Sequence, residues 1–134
     1  MAERRLPPRA VTIAFIDCIN RGDVEALGDL MSDDHSLYVF DEPPVTGRTR
    51  NVEAWHGYAS SFPNYVIHPH RVAAHGSRVA VLGHTTGSHL GLPDPEEEKL
   101  TLIWVADVEG GAIRSWRLIE DTGQNRTRLG LDLA

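Results

Sequence analysis

The spacing of apolar residues changes character about halfway along the chain. Val11, Ala14, Phe15, Cys18 and Ile19 stand at offsets of 0, 3, 4, 7 and 8, the stripe of an amphipathic helix. Pro7 and Pro8 suit its first turn, where a missing N–H costs little, and Gly22 supplies the stop. Asp23 can cap a second, short helix with Val24, Leu27, Leu30 and Met31 on its apolar side, until Ser32–Asp33–Asp34 breaks it. His35–Phe40 reads as a short strand, and the prolines of "DEPPVTG" make the next segment a loop. A third helix begins near Asn51, with Val52, Trp55, His56, Ala59 and Phe62 at offsets 0, 3, 4, 7 and 10. Pro63 and Asn64 end it.

Beyond Asn64 the chain is strand-like. Tyr65–Ala74 turns at His75–Gly76–Ser77 into Arg78–Leu90. The loop "GLPDPEEE" leads to "KLTLIWVADV", and Glu109–Gly110–Gly111 turns that run into "AIRSWRLIED". Short glycine-containing connections between extended runs predict antiparallel hairpins. The polar tail, 122–134, is expected to be partly flexible except where its leucines dock. Three N-terminal helices followed by a strongly curved antiparallel sheet make an α+β domain, with the sheet curling around the helices into a cone open at one end. "LTLIWVA" is almost continuously apolar, so both of its faces need cover. Helices cover one face. A two-fold partner presenting the same sheet is the expected cover for the other, which predicts a homodimer through the sheet face.

The 134 residues fit a single domain, 1–134. A net charge of −6 argues against nucleic acid as the partner, because phosphate binding needs a basic surface. No apolar run approaches the roughly 20 residues that span a bilayer, and "MAERRLPPRAV" leads into no apolar signal core. A cytoplasmic protein without a membrane partner is therefore expected. Cys18 is the only cysteine, so no intrachain disulfide or thiolate cluster is possible. Its place on the first stripe marks it as a small core hydrophobe.

Several stretches could carry chemistry. "VLGHTTGSHLG" (81–91) has a strand's length but carries two histidines and three glycines. Glycine in a strand marks a bend, a bulge or a close approach. Strand alternation sets His84 and His89 on opposite faces unless Gly87 bulges. Tyr38, Trp55, His56, His84, Trp104 and Trp116 could line an apolar pocket with a few polar handles, which suits a flat hydrophobic ligand. "HPH" (68–70) sets two imidazoles at a chelating spacing, but no third ligand is in view and no metal is assigned. "PEEE" (95–98) reads as a solvated loop.

"FIDCINRGDVEALGDLMSDD" and "PPVTGRTRNVEAW" resemble the opening of the nuclear transport factor 2-like superfamily. Within it, "GHTTGSHLGLP" and "GGAIRSWRLIEDTGQNRTRLG" are similar to the SnoaL-like polyketide cyclase and predicted ester cyclase group, over roughly residues 10–130. The resemblance implies a cone-shaped, cystatin-like α+β barrel. It also implies cofactor-independent general acid–base chemistry on a small hydrophobic carbonyl or polyketide-like substrate: enolate formation, then cyclisation, isomerisation or dehydration. A non-catalytic ligand-binding or dimerisation module of the same fold is the alternative. Ketosteroid isomerases, similar in the first half, carry a tyrosine where Phe15 stands and an aspartic acid near Ile103–Trp104, so both of their oxyanion donors are missing. The Asp-Arg-Asp set of limonene epoxide hydrolases is absent too.

By resemblance the base maps onto Asp121, with His89 donating to a substrate oxygen or shuttling a proton. Alternation leaves two alternatives open. Trp116, Leu118 and Glu120 share one face of the last strand, so Glu120 could be the inward carboxylate. Asp121 could instead form an ion pair with Arg117. Asp41 stands where related isomerases place their base, or is an exposed loop carboxylate.

Overall fold

The computed structural model describes residues 6–132. Helix α1 runs Pro8–Arg21, with Pro8 in the first turn and Gly22 in the left-handed conformation (φ 67°) closing it. Val11, Phe15, Cys18 and Ile19 of its stripe are buried, Phe15 completely, and Ala14 is half-buried. Helix α2 (Val24–Asp29) is capped by the Asp23 side chain, which accepts from the Ala26 N–H. It ends before Met31. Met31 instead opens strand β1 (Met31–Val39), which starts four residues before the predicted His35. The apolar spacing of Leu27, Leu30 and Met31 fits either period, and pairing with the last strand decides it. Strand β2 (Val45–Thr46) is a short element inside the predicted loop. Helix α3 (Arg48–Ser61) follows.

The sheet is completed by β3 (Val66–His75), β4 (Arg78–Thr86), β5 (Leu102–Glu109) and β6 (Ala112–Glu120). Its order is β2-β1-β6-β5-β4-β3. The hairpins are antiparallel, but β1 lies parallel to β6, so the sheet is mixed rather than wholly antiparallel. A register shift between Asp107 and Val108, and another between Pro69 and Arg71, interrupt the ladders. Such bulges bend strands. Asn20 ties α1 to the edge strand, accepting from the Ile67 N–H (2.8 Å) and donating to its carbonyl (3.0 Å). Two short helices lie outside the sequence-based elements: α4 (Asp94–Glu97) and α5 (Gly123–Arg128).

The sheet's inner face packs Val79, Val81, Trp104, Ala106, Val108, Ile113 and Trp116 against Phe15, Ile19 and Leu27 of the helices. Its outer face carries a second cluster of Ala80, Leu82, Ile103 and Val105. Leu129 and Leu131, just past α5, complete that cluster from within the chain, and Leu131 is fully buried. The last two residues of the tail, 133–134, lie outside the described residues. Among the described residues no helix is long and apolar enough to cross a membrane.

Candidate functional site

Inside the cone, between α3 and the inner sheet face, is an apolar cavity of about 200 Å³. Leu37 and Val39 of β1, Trp104 of β5, Trp116 and Leu118 of β6, and Trp55 and Tyr58 of α3 all line it. Alternation places these strand residues: Leu37 and Val39 face inward, as do Trp116 and Leu118. The cavity opens into a cleft of about 500 Å³ whose walls include Thr85, Ser88, Glu97 and Thr101. Tyr58, Tyr65, His89 and Leu118 line both spaces. Phe40, Leu90 and Leu100 form an exposed apolar rim.

His89 reaches this junction because β4 ends at Thr86 and Gly87 turns the chain with φ 69°. A side chain at Gly87 would collide with the Asn64 carbonyl, so the turn needs glycine. Tyr58 Oη lies 2.8 Å from His89 Nδ1 and accepts the His89 backbone N–H at 3.2 Å. That contact pairs the phenol with the imidazole; in the Nε2–H tautomer the phenol donates to Nδ1. Burial raises the Tyr58 pKa, which keeps the phenol a proton donor. Tyr65, more deeply desolvated, is pushed up further.

Of the aromatic positions expected to line a pocket, Trp55, Trp104 and Trp116 do so, but Tyr38, His56 and His84 do not line this cavity. Tyr38 alternates outward between Leu37 and Val39, and the Arg117 guanidinium sits 4.0 Å above its ring. His56 is exposed on α3, beside a separate groove that includes Arg21 and Val24. His84 stands on the outer face, stacked on His68 (ring centroids 4.5 Å apart), with its Nδ1 2.6 Å from His70 Nε2. Burial, followed by the two neighbouring imidazoles, lowers its pKa. The paired imidazoles of "HPH" thus meet a third, yet among the described residues no group of three His, Cys, Asp or Glu side chains is arranged to hold a metal ion.

The carboxylates differ most from expectation. Asp121 does not face the cavity. Arg126 of α5 donates to both its oxygens (2.6 and 2.7 Å), and the Thr101 hydroxyl donates at 2.5 Å. The Arg126 guanidinium, with help from Thr101, holds the Asp121 carboxyl below the usual range. A carboxylate so stabilised is a poor base, and its partner is Arg126 rather than Arg117. Glu120 is exposed, because β6 runs past the end of the cavity after Leu118. Asp41 is exposed in the turn after β1.

Glu97 is the residue that sequence reasoning missed. It lies in "PEEE" but is 1% exposed, not solvated. The Thr85 hydroxyl donates to its Oε2, while Oε1 is buried without a partner. A four-residue helix carries no periodicity that could have marked Glu97 as the inward member of three acidic neighbours. Among the described residues three other buried side-chain atoms lack partners: Trp55 Nε1, on a residue lining the cavity, Asn51 Oδ1 and His35 Nε2. His35 is fully buried against Phe15, with Nδ1 2.7 Å from the Ile113 carbonyl, and burial lowers its pKa. Cys18 is buried, which raises its thiol pKa as expected for a core residue.

No curated protein matches the sequence. Solved structures match in fold. An uncharacterized cystatin fold protein from Novosphingobium aromaticivorans superposes with a TM-score of 0.74 at 19% identity, covering 86% of this chain and 99% of that one. The LEH-like epoxide hydrolase of M. tuberculosis gives 0.65 at 17% identity, covering 85% and 82%. SalBIII, an epoxide hydrolase/cyclase-like enzyme of pyran ring formation in polyether salinomycin, gives 0.69 at 18%, covering 86% and 91%. At these identities the likeness shows the fold alone. Residues 12–116 match the SnoaL-like domain. With most of its length matched, and with helices enclosed by a curved sheet around an aromatic cavity, this chain belongs to the SnoaL-like domain family.

Proposed function

We propose that the protein binds a small, flat, hydrophobic carbonyl compound in the aromatic cavity and that Tyr58 and His89 perform general acid–base chemistry on it. The observation that carries this reading is the 2.8 Å contact between Tyr58 Oη and His89 Nδ1 at the junction of cavity and cleft. A substrate carbonyl arriving at Tyr58 competes for the phenolic proton and so frees the Nδ1 lone pair. His89 then removes a proton from the carbon next to that carbonyl, and the bond's electrons move onto the oxygen, which Tyr58 stabilises by hydrogen bonding. Returning the proton at another carbon gives isomerisation. Loss of a β-hydroxyl gives dehydration, and attack of the enolate on a second carbonyl of the same molecule gives cyclisation. Trp55, Trp104 and Trp116 supply the apolar walls that exclude water.

Exchange of the α-protons of 2-tetralone in deuterated water, followed by NMR, tests the chemistry. Quenching of tryptophan fluorescence reports binding, because three tryptophans line the cavity. The protein is expected to accelerate exchange, and His89→Gln and Tyr58→Phe to lose about 100-fold of that acceleration while still binding. Binding without accelerated exchange would leave a non-catalytic carrier. Failure to bind any flat apolar ketone would remove the pocket reading.

A further inference from the structure

Away from the cavity, the outer face of the β3–β4 hairpin gathers three of the chain's seven histidines. His68 and His84 are cross-strand partners, and their rings stack with centroids 4.5 Å and planes 11° apart. His70 belongs to a bulge. The register passes from Pro69–Gly83 to Arg71–Leu82 and leaves it without a partner in the ladder. Bulges re-aim side chains, and this one carries His70 Nε2 to 2.6 Å from His84 Nδ1. The close approach of the two strands is built in, because a side chain at Gly83 would collide with the His68 carbonyl. Strand β3 is the edge of the sheet and His70 is exposed, so ions in solution reach the pair.

Two ring nitrogens this close have room for one proton between them at most, so at least one lone pair is aimed at the opposite ring. Folding gains little from such a solvent-exposed contact, because water serves each ring about as well. Imidazoles presented in this way are donors for late transition-metal ions. Bound to one ion at about 2.0–2.1 Å, two nitrogens stand about 2.9 Å apart in a square-planar or octahedral site and about 3.3 Å apart in a tetrahedral one. The pair therefore has to open only slightly, which rotation of the exposed His70 side chain allows. His68 is not a third donor: its Nε2 is taken by the Thr86 hydroxyl (2.8 Å), and it lies face to face with His84. Its part is to hold the plane of the His84 ring. The Glu98 carboxylate, just past α4, acts on His84 as a nearby negative charge, which favours a cation there.

We propose that His70 Nε2 and His84 Nδ1 chelate a divalent ion of the late first transition series, copper(II) ahead of nickel(II) or zinc(II), with water completing the coordination. Two protein donors agree with the absence of any three-donor group among the described residues. They make a reversible site rather than a permanently loaded structural one. It lies on the opposite sheet face from the aromatic cavity and stands independently of the acid–base chemistry proposed there.

Copper(II) chloride titrated into the protein near neutral pH and followed by calorimetry tests the site, with electron paramagnetic resonance counting the coordinated nitrogens. The wild type is expected to bind one ion per chain through two imidazole nitrogens. His70→Gln and His84→Gln are each expected to weaken binding about 100-fold, since the second donor acts through its effective concentration. His68→Phe, which keeps a stacked ring without its nitrogens, is expected to stay within about threefold of the wild type, as is His56→Gln on α3. Should His84→Gln not fold, the exposed His70→Gln and the nitrogen count of the wild type decide. The assignment fails if fewer than two imidazole nitrogens bind the ion, if His70→Gln or a folded His84→Gln keeps wild-type affinity, or if His68→Phe or His56→Gln loses as much as His70→Gln.

Discussion

Two short helices flank the last hairpin, one before β5 and one after β6, and each holds a carboxylate that is used differently. At the C-terminal end, Asp121 has Arg126 on both oxygens and Thr101 as well, and the chain beyond α5 buries Leu129 and Leu131 on the outer sheet face. At α4, Glu97 is buried with one oxygen unpaired, and the leucines on either side of the segment, Leu90, Leu92 and Leu100, are exposed. The first region is a clamp with its polar and apolar groups satisfied internally. The second leaves both kinds of group unsatisfied beside a cavity. A carboxylate's availability for chemistry is thus decided by the partners it has already taken, not by its place at the end of a strand.

The comparison can be broken at several points. The largest effect is expected from Leu131→Ala. Removing a fully buried leucine costs about 2–5 kcal/mol of stability, measured by denaturant unfolding. A loss below about 1 kcal/mol would mean that the C-terminal segment is not the effective cover of Ile103 and Val105.

Asp121→Asn is expected to cost about 1.5–3 kcal/mol, the range for hydrogen bonds to charged groups, and to leave α-proton exchange unchanged. The pH dependence has a defined sign. The folded-state pKa of Asp121 lies below the ordinary 3.8, so its contribution is fully present above pH 3.8 and is lost as pH falls through the lower folded value. The wild type should lose this increment below pH 3.8, whereas the asparagine variant should not. Loss of exchange in this variant would return Asp121 to the chemistry.

Glu97→Gln should have the smallest effect on folding, below about 1 kcal/mol, because the new carbonyl still accepts from Thr85. A loss equal to that of Asp121→Asn would make both regions clamps and end the contrast.

How far the chain could be read in advance depends on how local each feature is. The stripe from Val11 to Ile19, the stop at Gly22 and the glycine turns between extended runs were legible because each is fixed by residues a few positions apart. Met31 was assigned to a helix because an apolar residue at that spacing fits either period, and only its place beside Ile113 of β6 makes it a strand residue. His89 and the three tryptophans could be picked out by type and surroundings. Tyr58, the partner of His89, could not, because the two are 31 positions apart and meet only across the cone mouth.

The sequence by itself therefore determined the α+β class, the order of the main elements and the aromatic character of the interior. These follow from residue periodicity and turn chemistry, which act over one or two turns of chain. The tertiary structure alone decided which carboxylate is engaged and which is open, which strand face each histidine occupies and what covers the outer sheet. Each of those is a choice among partners distant in sequence, settled by the competition of charges, hydroxyls and apolar surfaces for one another once the sheet has curved.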